Sequence, residues 1–236
     1  WKTSSTWHGC DGREPARQPG PRVGRVLYQE DIPDRLNHRL LIARDAFAYS
    51  GSETQTALAP GLNRLSKLFR EVTEVDMALN GLDQWSEAQR TVQAAEFWQT
   101  FSDWIDRHNP RMSYSVARNL FIASKIESSV LESAQLVKQQ ATERMKSLLP
   151  RGTLLCLPTT PFCAPRVNLP IHETDALRLQ ISVLCCHGGL TGVPHVSIPG
   201  ATTGPDHAPI GLSIIAGHNY DTDLLAASLA LEAQHD

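Results

Sequence analysis

Four groupings of nucleophilic or ligating side chains in this 236-residue chain could do chemistry. Lys125, Ser128 and Ser129 stand at i, i+3 and i+4, so on one helix they would share a face, where an amine could deprotonate a hydroxyl as a Ser–Lys dyad. An ammonium with an ordinary pKa of about 10.4 cannot act as that base unless it is buried, and a solvated helix face is the better reading. Cys185, Cys186 and His187 adjoin Gly188 and Gly189, and a Cys/His pair suggests a thiolate nucleophile. Successive helical residues point about 100° apart, so Cys186 and His187 would not face each other. Buried small residues are the expectation there. His195, His207 and His218 lack the spacing of metal ligands and no carboxylate cluster supports them, so neither a metal site nor a cofactor is expected. The last grouping is Thr159 and Thr160, which close the apolar run TLLCLP. If that run is a strand of an open α/β sheet, its carboxyl end is where a ligand binds, and these hydroxyls become the expected substrate contacts, with turn capping as the competing role. Trp98, with Trp85, Phe101 and Trp104, could line an apolar acyl pocket, although core packing explains the same residues.

The elements that must position these groups follow from apolar patterning. TLLCLP at 153–158 has no polar alternation, the pattern of a strand covered on both faces. LLIA, between Arg39 and Arg44, reads as a second buried strand opening into a loop. Ser52 and Gln55 form an S-x-x-Q capping box ahead of Leu58, Leu62, Leu65 and Phe69, which predicts a helix that Pro60 and Gly61 should kink or delay. A second helix is predicted over 86–107 with Ser86 as cap, ended by Asn109 and Pro110. A third is predicted over 126–149, with Val130, Ala134, Val137, Ala141, Met145 and Leu148 on its apolar face. Helical spacing returns at 175–190 and ends at Gly188-Gly189. Then come the strand HVSIP, a polar loop ATTGPDHAP, the strand IGLSIIA and a final helix capped by Asp221. Helices alternating with apolar strands imply a layered α/β sheet.

Composition excludes several partner classes. The 22 Lys and Arg are scattered rather than striped and leave a net charge of -3, which gives no reason to expect nucleic acid. No window approaches the roughly 20 apolar residues of a membrane span, and WKTSSTWHGC lacks the apolar run of a signal peptide. Five cysteines without CxxC spacing point to a reducing compartment, with the cytoplasm as the expected location. Residues 1–22, rich in Gly and Pro and without helical or strand period, read as disordered or a displaced remnant.

Read in order, VGRVLYQEDIP, RLLIARDAF, AAEFWQTFSDWI, TLLCLPTTP and TGVPHVSIPG resemble successive segments of the amidase-signature hydrolases, with the plant indole-acetamide-type amidases closest in look. The resemblance implies a mixed β-sheet covered by helices on both faces, with residues 23–236 as the C-terminal part of an amidase domain acting on a small-molecule amide. It also implies a nucleophilic serine, a second serine that relays its proton, a lysine base and an oxyanion hole of backbone N–H groups. In the family these groups lie in a Lys-bearing strand end and a GGSSGGS-like loop, both upstream of the matched region. This sequence contains neither, so no catalytic residue is carried over. The expectation is a chain inactive alone, with self-association through an open sheet edge. The alternatives are a non-catalytic amidase-like binding or scaffold module and, more distantly, a cysteine hydrolase centred on Cys186.

Overall fold

A computed structural model describes residues 39–204 and 207–233. The segments 1–22 and VGRVLYQEDIP, about which the sequence raised expectations, lie outside the described residues.

The fold is built around TLLCLP. This strand, β3 (Thr153–Pro158), has all six residues buried. It pairs in parallel with β1 (Arg39–Ala43), which pairs in parallel with β2 (Glu71–Val75) at the edge. On its other side β3 runs antiparallel to β5 (Ala208–Ile215), which forms a hairpin with β4 (His195–Thr203), giving the five-stranded order β2-β1-β3-β5-β4. Alternation along each strand sends side chains to two cores. Leu41, Ala43, Leu155, Leu157 and Ile215 point to one; Leu40, Leu154, Cys156, Leu212 and Ile214 point to the other.

Helices cover both faces. The first core is roofed by α1 (Arg44–Tyr49), α3 (Leu82–His108), α5 (Ser128–Leu148) and α6 (Ile171–Thr191). The second is roofed by α2 (Ser52–Ser66) and α7 (Asp221–Glu232). The remaining helix, α4 (Tyr114–Ala123), packs on α3. Among the described residues no helix is long and apolar enough to cross a membrane.

Local departures from the sequence reading have identifiable causes. The expected loop after β1 is α1, because Asp45 accepts the backbone N–H of Ala46 at 3.0 Å and starts a helix at once. The S-x-x-Q box does not form: Gly51 takes the cap position of α2, and Gln55 Nε2 donates back to Ser50 O at 2.8 Å. Pro60 lies within α2, and Gly61 sits where an added Cβ would lie 3.3 Å from Gly200 O, so the helix and the β4 bulge approach closely only because both residues are glycine. Ser86 is not a cap but a buried residue one turn inside α3, its Oγ 2.7 Å from Ser182 Oγ of α6. Val130 is 49% exposed and Leu131 packs inward in its stead. Gly188 and Gly189 do not end α6, which runs on to Gly192 at φ 75. They are small because His195 and Gln89 occupy the space a Cβ would need. Tyr220, not Asp221, takes the cap position of α7, with Asp221 and Asp223 in the first turn.

Asp45 also fastens the turn after β2, taking N–H bonds from Met77 at 3.0 Å and Ala78 at 2.8 Å. Both donors belong to buried residues, so losing the carboxylate strands them. Asp45→Ala is therefore expected to lower stability by about 2–4 kcal/mol in equilibrium urea unfolding, and Asp45→Asn by less, since an amide oxygen still accepts.

Candidate functional site

At the carboxyl end of β3 the sheet brings three hydroxyls together. Thr159 continues the face that carries Leu155 and Leu157, and its Oγ1 lies 2.7 Å from Ser197 Oγ of β4 and 2.8 Å from Ser213 Oγ of β5. The register explains the meeting: Ser213 pairs with Leu157 on one side and Ser197 on the other. Ser213 is buried, Thr159 half-buried and Ser197 exposed, so the hydroxyls form a chain from the core to the surface. Gly211 makes room for it, since a Cβ there would lie 2.5 Å from Ser197 Oγ and 2.6 Å from Thr159 Oγ1. The backbone is held as well: Thr159 N–H donates to Gly211 O at 3.0 Å, and the Cys185 thiol of α6 donates to Thr159 O at 3.3 Å.

The turn that follows is pinned from the other core. Thr160 Oγ1 donates to Phe162 O at 2.7 Å, closing its own turn. Pro161 O accepts from Thr54 Oγ1 at 3.0 Å and from Gly51 N–H at 3.3 Å, which fixes the start of α2 beside the turn. Glu53 reaches across to the Thr203 hydroxyl and, at 2.9 Å, the Gly204 N–H, tying α2 to the β4–β5 hairpin.

The sequence candidates separate accordingly. Thr159 and Thr160 stand side by side, Thr159 in the hydroxyl chain and Thr160 in the turn. Trp98 is half-buried on the outer part of α3 and takes no part in the hydroxyl chain. Lys125 falls between α4 and α5, beyond one helix and ahead of Ser128 and Ser129, so the helical spacing behind the dyad does not exist; its Nζ lies 5.7 Å above the Phe121 ring. Cys186 is buried, its thiol donating weakly to Val183 O at 3.5 Å, and burial pushes its pKa up to about 12, which removes the cysteine-hydrolase reading. Among the described residues no three His, Cys, Asp or Glu side chains converge as a metal site. Ser197, Ser213 and Gly211 were missed as site residues, and Cys185, named only within a thiolate grouping, enters as a hydrogen-bond donor to Thr159 O. The only sequence signal was a single serine inside each of two apolar strands, HVSIP and GLSII.

This arrangement can orient a polar ligand with a wall of hydroxyls and backbone groups. It does not activate a nucleophile, because Ser197 Oγ bonds another hydroxyl rather than a base. The buried imidazole of His187 offers no base either. His187 is 1% exposed, its ring 5.2 Å from that of His195, and neither of its ring nitrogens has a hydrogen-bond partner among the described residues. Burial, reinforced by the His195 charge, depresses its pKa to about 3.

The family profile of amidases matches residues 19–225, most of the chain. The chain belongs to the amidase family. Among curated amidase-family relatives, Amidase 1 of Oryza sativa subsp. japonica is 24% identical over 164 residues, covering 68% of this chain and 37% of the relative. Amidase 1 of Arabidopsis thaliana is 22% identical over 161 residues, again covering 68% of this chain and 37% of that protein. The fold matches a crystal structure of an amidase at TM-score 0.72 and 21% identity, covering 91% of this chain and 50% of that one. It also matches a bacterial aryl acylamidase of the amidase-signature family at TM-score 0.64 and 19% identity, covering 84% and 44%. The chain thus spans 37% of the length of these two curated amidase relatives.

Two measurements probe this region. Gly211→Ala must push the hydroxyls apart and is expected to cost about 1–3 kcal/mol in thermal or urea unfolding. His187 has a folded pKa of about 3 against 6.5 when free, so its contribution to stability is whole above about pH 6.5 and is lost as pH falls toward 3. The slope is up to about 1.4 kcal/mol per pH unit. His187→Leu should flatten the parent's pH dependence by that amount between pH 6 and 4, the parent-minus-variant difference isolating this group from titrating carboxylates.

Proposed function

We propose that this chain forms one wall of the substrate cleft of an amide-hydrolysing enzyme, and that it does not hydrolyse amides alone. The observation that carries the reading is the hydroxyl chain Ser197–Thr159–Ser213, which stands at the carboxyl end of the central strand and draws its members from VSIP, LPTTP and GLSII. Thr159 and the exposed Ser197 are the groups we assign to substrate contact, with Thr160 shaping the turn beside them. Trp98 is kept as a contributor to an apolar acyl pocket that further chain would complete.

The nucleophile, relay serine and base belong to a Lys-bearing strand end and Gly/Ser-rich loop that this sequence does not contain. Within the chain, Cys186 is held protonated by burial, and Ser128 and Ser129 have no lysine on their helix face ahead of them. Small linear amides, indole-acetamide among them, are the substrate class this reading assigns. The name of a bacterial aryl acylamidase among the similar structures supports starting with aromatic amides. A reducing, cytoplasmic setting without a nucleic-acid partner completes the proposal, supported by the free thiols of Cys156, Cys163, Cys185 and Cys186.

The purified chain is expected to release no ammonia or acid from indole-acetamide or simple aliphatic amides above the background of a mock preparation. Turnover that survives purification and disappears on substituting a residue of this chain, such as Thr159→Ala, would overturn the reading.

A further inference from the structure

The three hydroxyls at the end of β3 carry three protons but share two hydrogen bonds, so one proton is left over. Its place decides what the cluster offers a ligand. Thr159 Oγ1 is the middle member, 2.7 Å from Ser197 Oγ and 2.8 Å from Ser213 Oγ. Ser197 and Ser213 each have the Thr159 hydroxyl as their one side-chain hydrogen-bond partner among the described residues. Three proton arrangements are therefore open, one for each hydroxyl left without an acceptor in the chain.

Burial chooses among them. Ser213 is 2% exposed and shares its face of the sheet with the apolar Leu157, its register partner, and Ile215. A Ser213 proton not given to Thr159 would be stranded there, an arrangement disfavoured roughly five- to 150-fold. Ser213 therefore donates and Thr159 accepts. If Ser197 also donated inward, the stranded proton would be that of Thr159, which is half-buried with its oxygen in the space over Gly211. Ser197 is the exposed member, so the last proton meets solvent or a ligand when it is the Ser197 proton. Donation runs from Ser213 to Thr159 to Ser197, and each accepted bond polarises the next donor, strengthening it by on the order of 10–30%.

We propose that this order fixes Ser197 as an outward hydrogen-bond donor, and that the ligand group it takes is an oxygen acceptor, the carbonyl of an amide or ester, in preference to an N–H or ammonium group. The proposal rests on the cleft reading given above and goes further by assigning which atom of the ligand meets the wall. The Ser197 oxygen already accepts from Thr159, so a donor group on a ligand meets the weaker side of this hydroxyl. On an amide the carbonyl oxygen is thus bound and the nitrogen is left facing away from the wall.

Neutron diffraction from crystals of the deuterated chain reads the order directly, without a ligand. The Ser213 deuteron is expected to point at Thr159, the Thr159 deuteron at Ser197 and the Ser197 deuteron away from the chain. A Ser197 deuteron pointing at Thr159 would overturn the proposal. In solution, Ser213→Ala removes a bond that is made and should lower the urea midpoint, whereas a raised midpoint would mean that the Ser213 proton was stranded and the order reversed. The ligand preference is read from backbone amide shifts at residues 159 and 197 during titration with three compounds of one skeleton. These are indole-acetamide, methyl indole-acetate, which keeps the carbonyl and lacks the amide N–H, and tryptamine, which has an ammonium and no carbonyl. The ester should bind within about threefold of the amide, and tryptamine about tenfold or more weakly than either. Thr159→Val frees the Ser197 oxygen to accept and should shrink the ester-to-tryptamine ratio, whereas a loss of packing alone would weaken all three together. Tryptamine binding as tightly as the ester, or an unchanged ratio in Thr159→Val, would overturn the proposal. If none of the three compounds shifts residues 159 and 197, the cleft reading fails, while the proton order stands or falls on the neutron result.

Discussion

The burial of β3 is the constraint on which the rest of the structure depends. A strand with all six residues out of water must have a hydrogen-bonded neighbour on each edge and a helical layer on each face, because an unpaired buried backbone group costs on the order of 1–3 kcal/mol. β1 supplies one edge in parallel and β5 the other antiparallel. That change of direction is what allows a hairpin, and so β4, to complete the sheet beside the carboxyl end of β3. Two separate apolar cores follow from the pleat, one under α3, α5 and α6 and one under α2 and α7.

The hydroxyl chain is a consequence of the same register. Thr159 leaves the sheet where Ser197 and Ser213 face each other, and Gly211 opens the space between them. Each partner comes from a different element, so the cluster exists only when β3, the hairpin and α6 are all in place. Its rigidity comes from both sides: Cys185 holds the Thr159 carbonyl, while Thr54 and Gly51 hold that of Pro161. Under the proposed function such a wall would fix the position of a bound group without supplying a nucleophile.

Much of this was legible in the amino-acid order because apolar period reports burial directly. The unbroken TLLCLP gave a doubly covered strand, and the stripe from Leu58 to Leu65 gave α2 despite Pro60. Elements that pack on one side only were hidden. EVTEV became edge strand β2 with its glutamates outward, and the mostly exposed α4 has too narrow a buried face to announce itself. Helix ends were misread wherever small or polar residues serve packing, as Ser86 does against Ser182 and Gly188 against His195. Thr159 was legible as a strand end, but Ser197 and Ser213 were not, since their meeting depends on the pairing of distant strands.

The most direct measurement of the central claim is a titration of the isotopically labelled chain with indole-acetamide, followed by backbone amide chemical shifts. The account predicts perturbations centred on residues 159–163, 197–200 and 211–213, with little change elsewhere. Shifts centred instead on the cavity of about 600 Å³ between Met145, Val193 and His218, at the opposite end of the sheet, or no shifts up to the solubility limit of the amide, would contradict it.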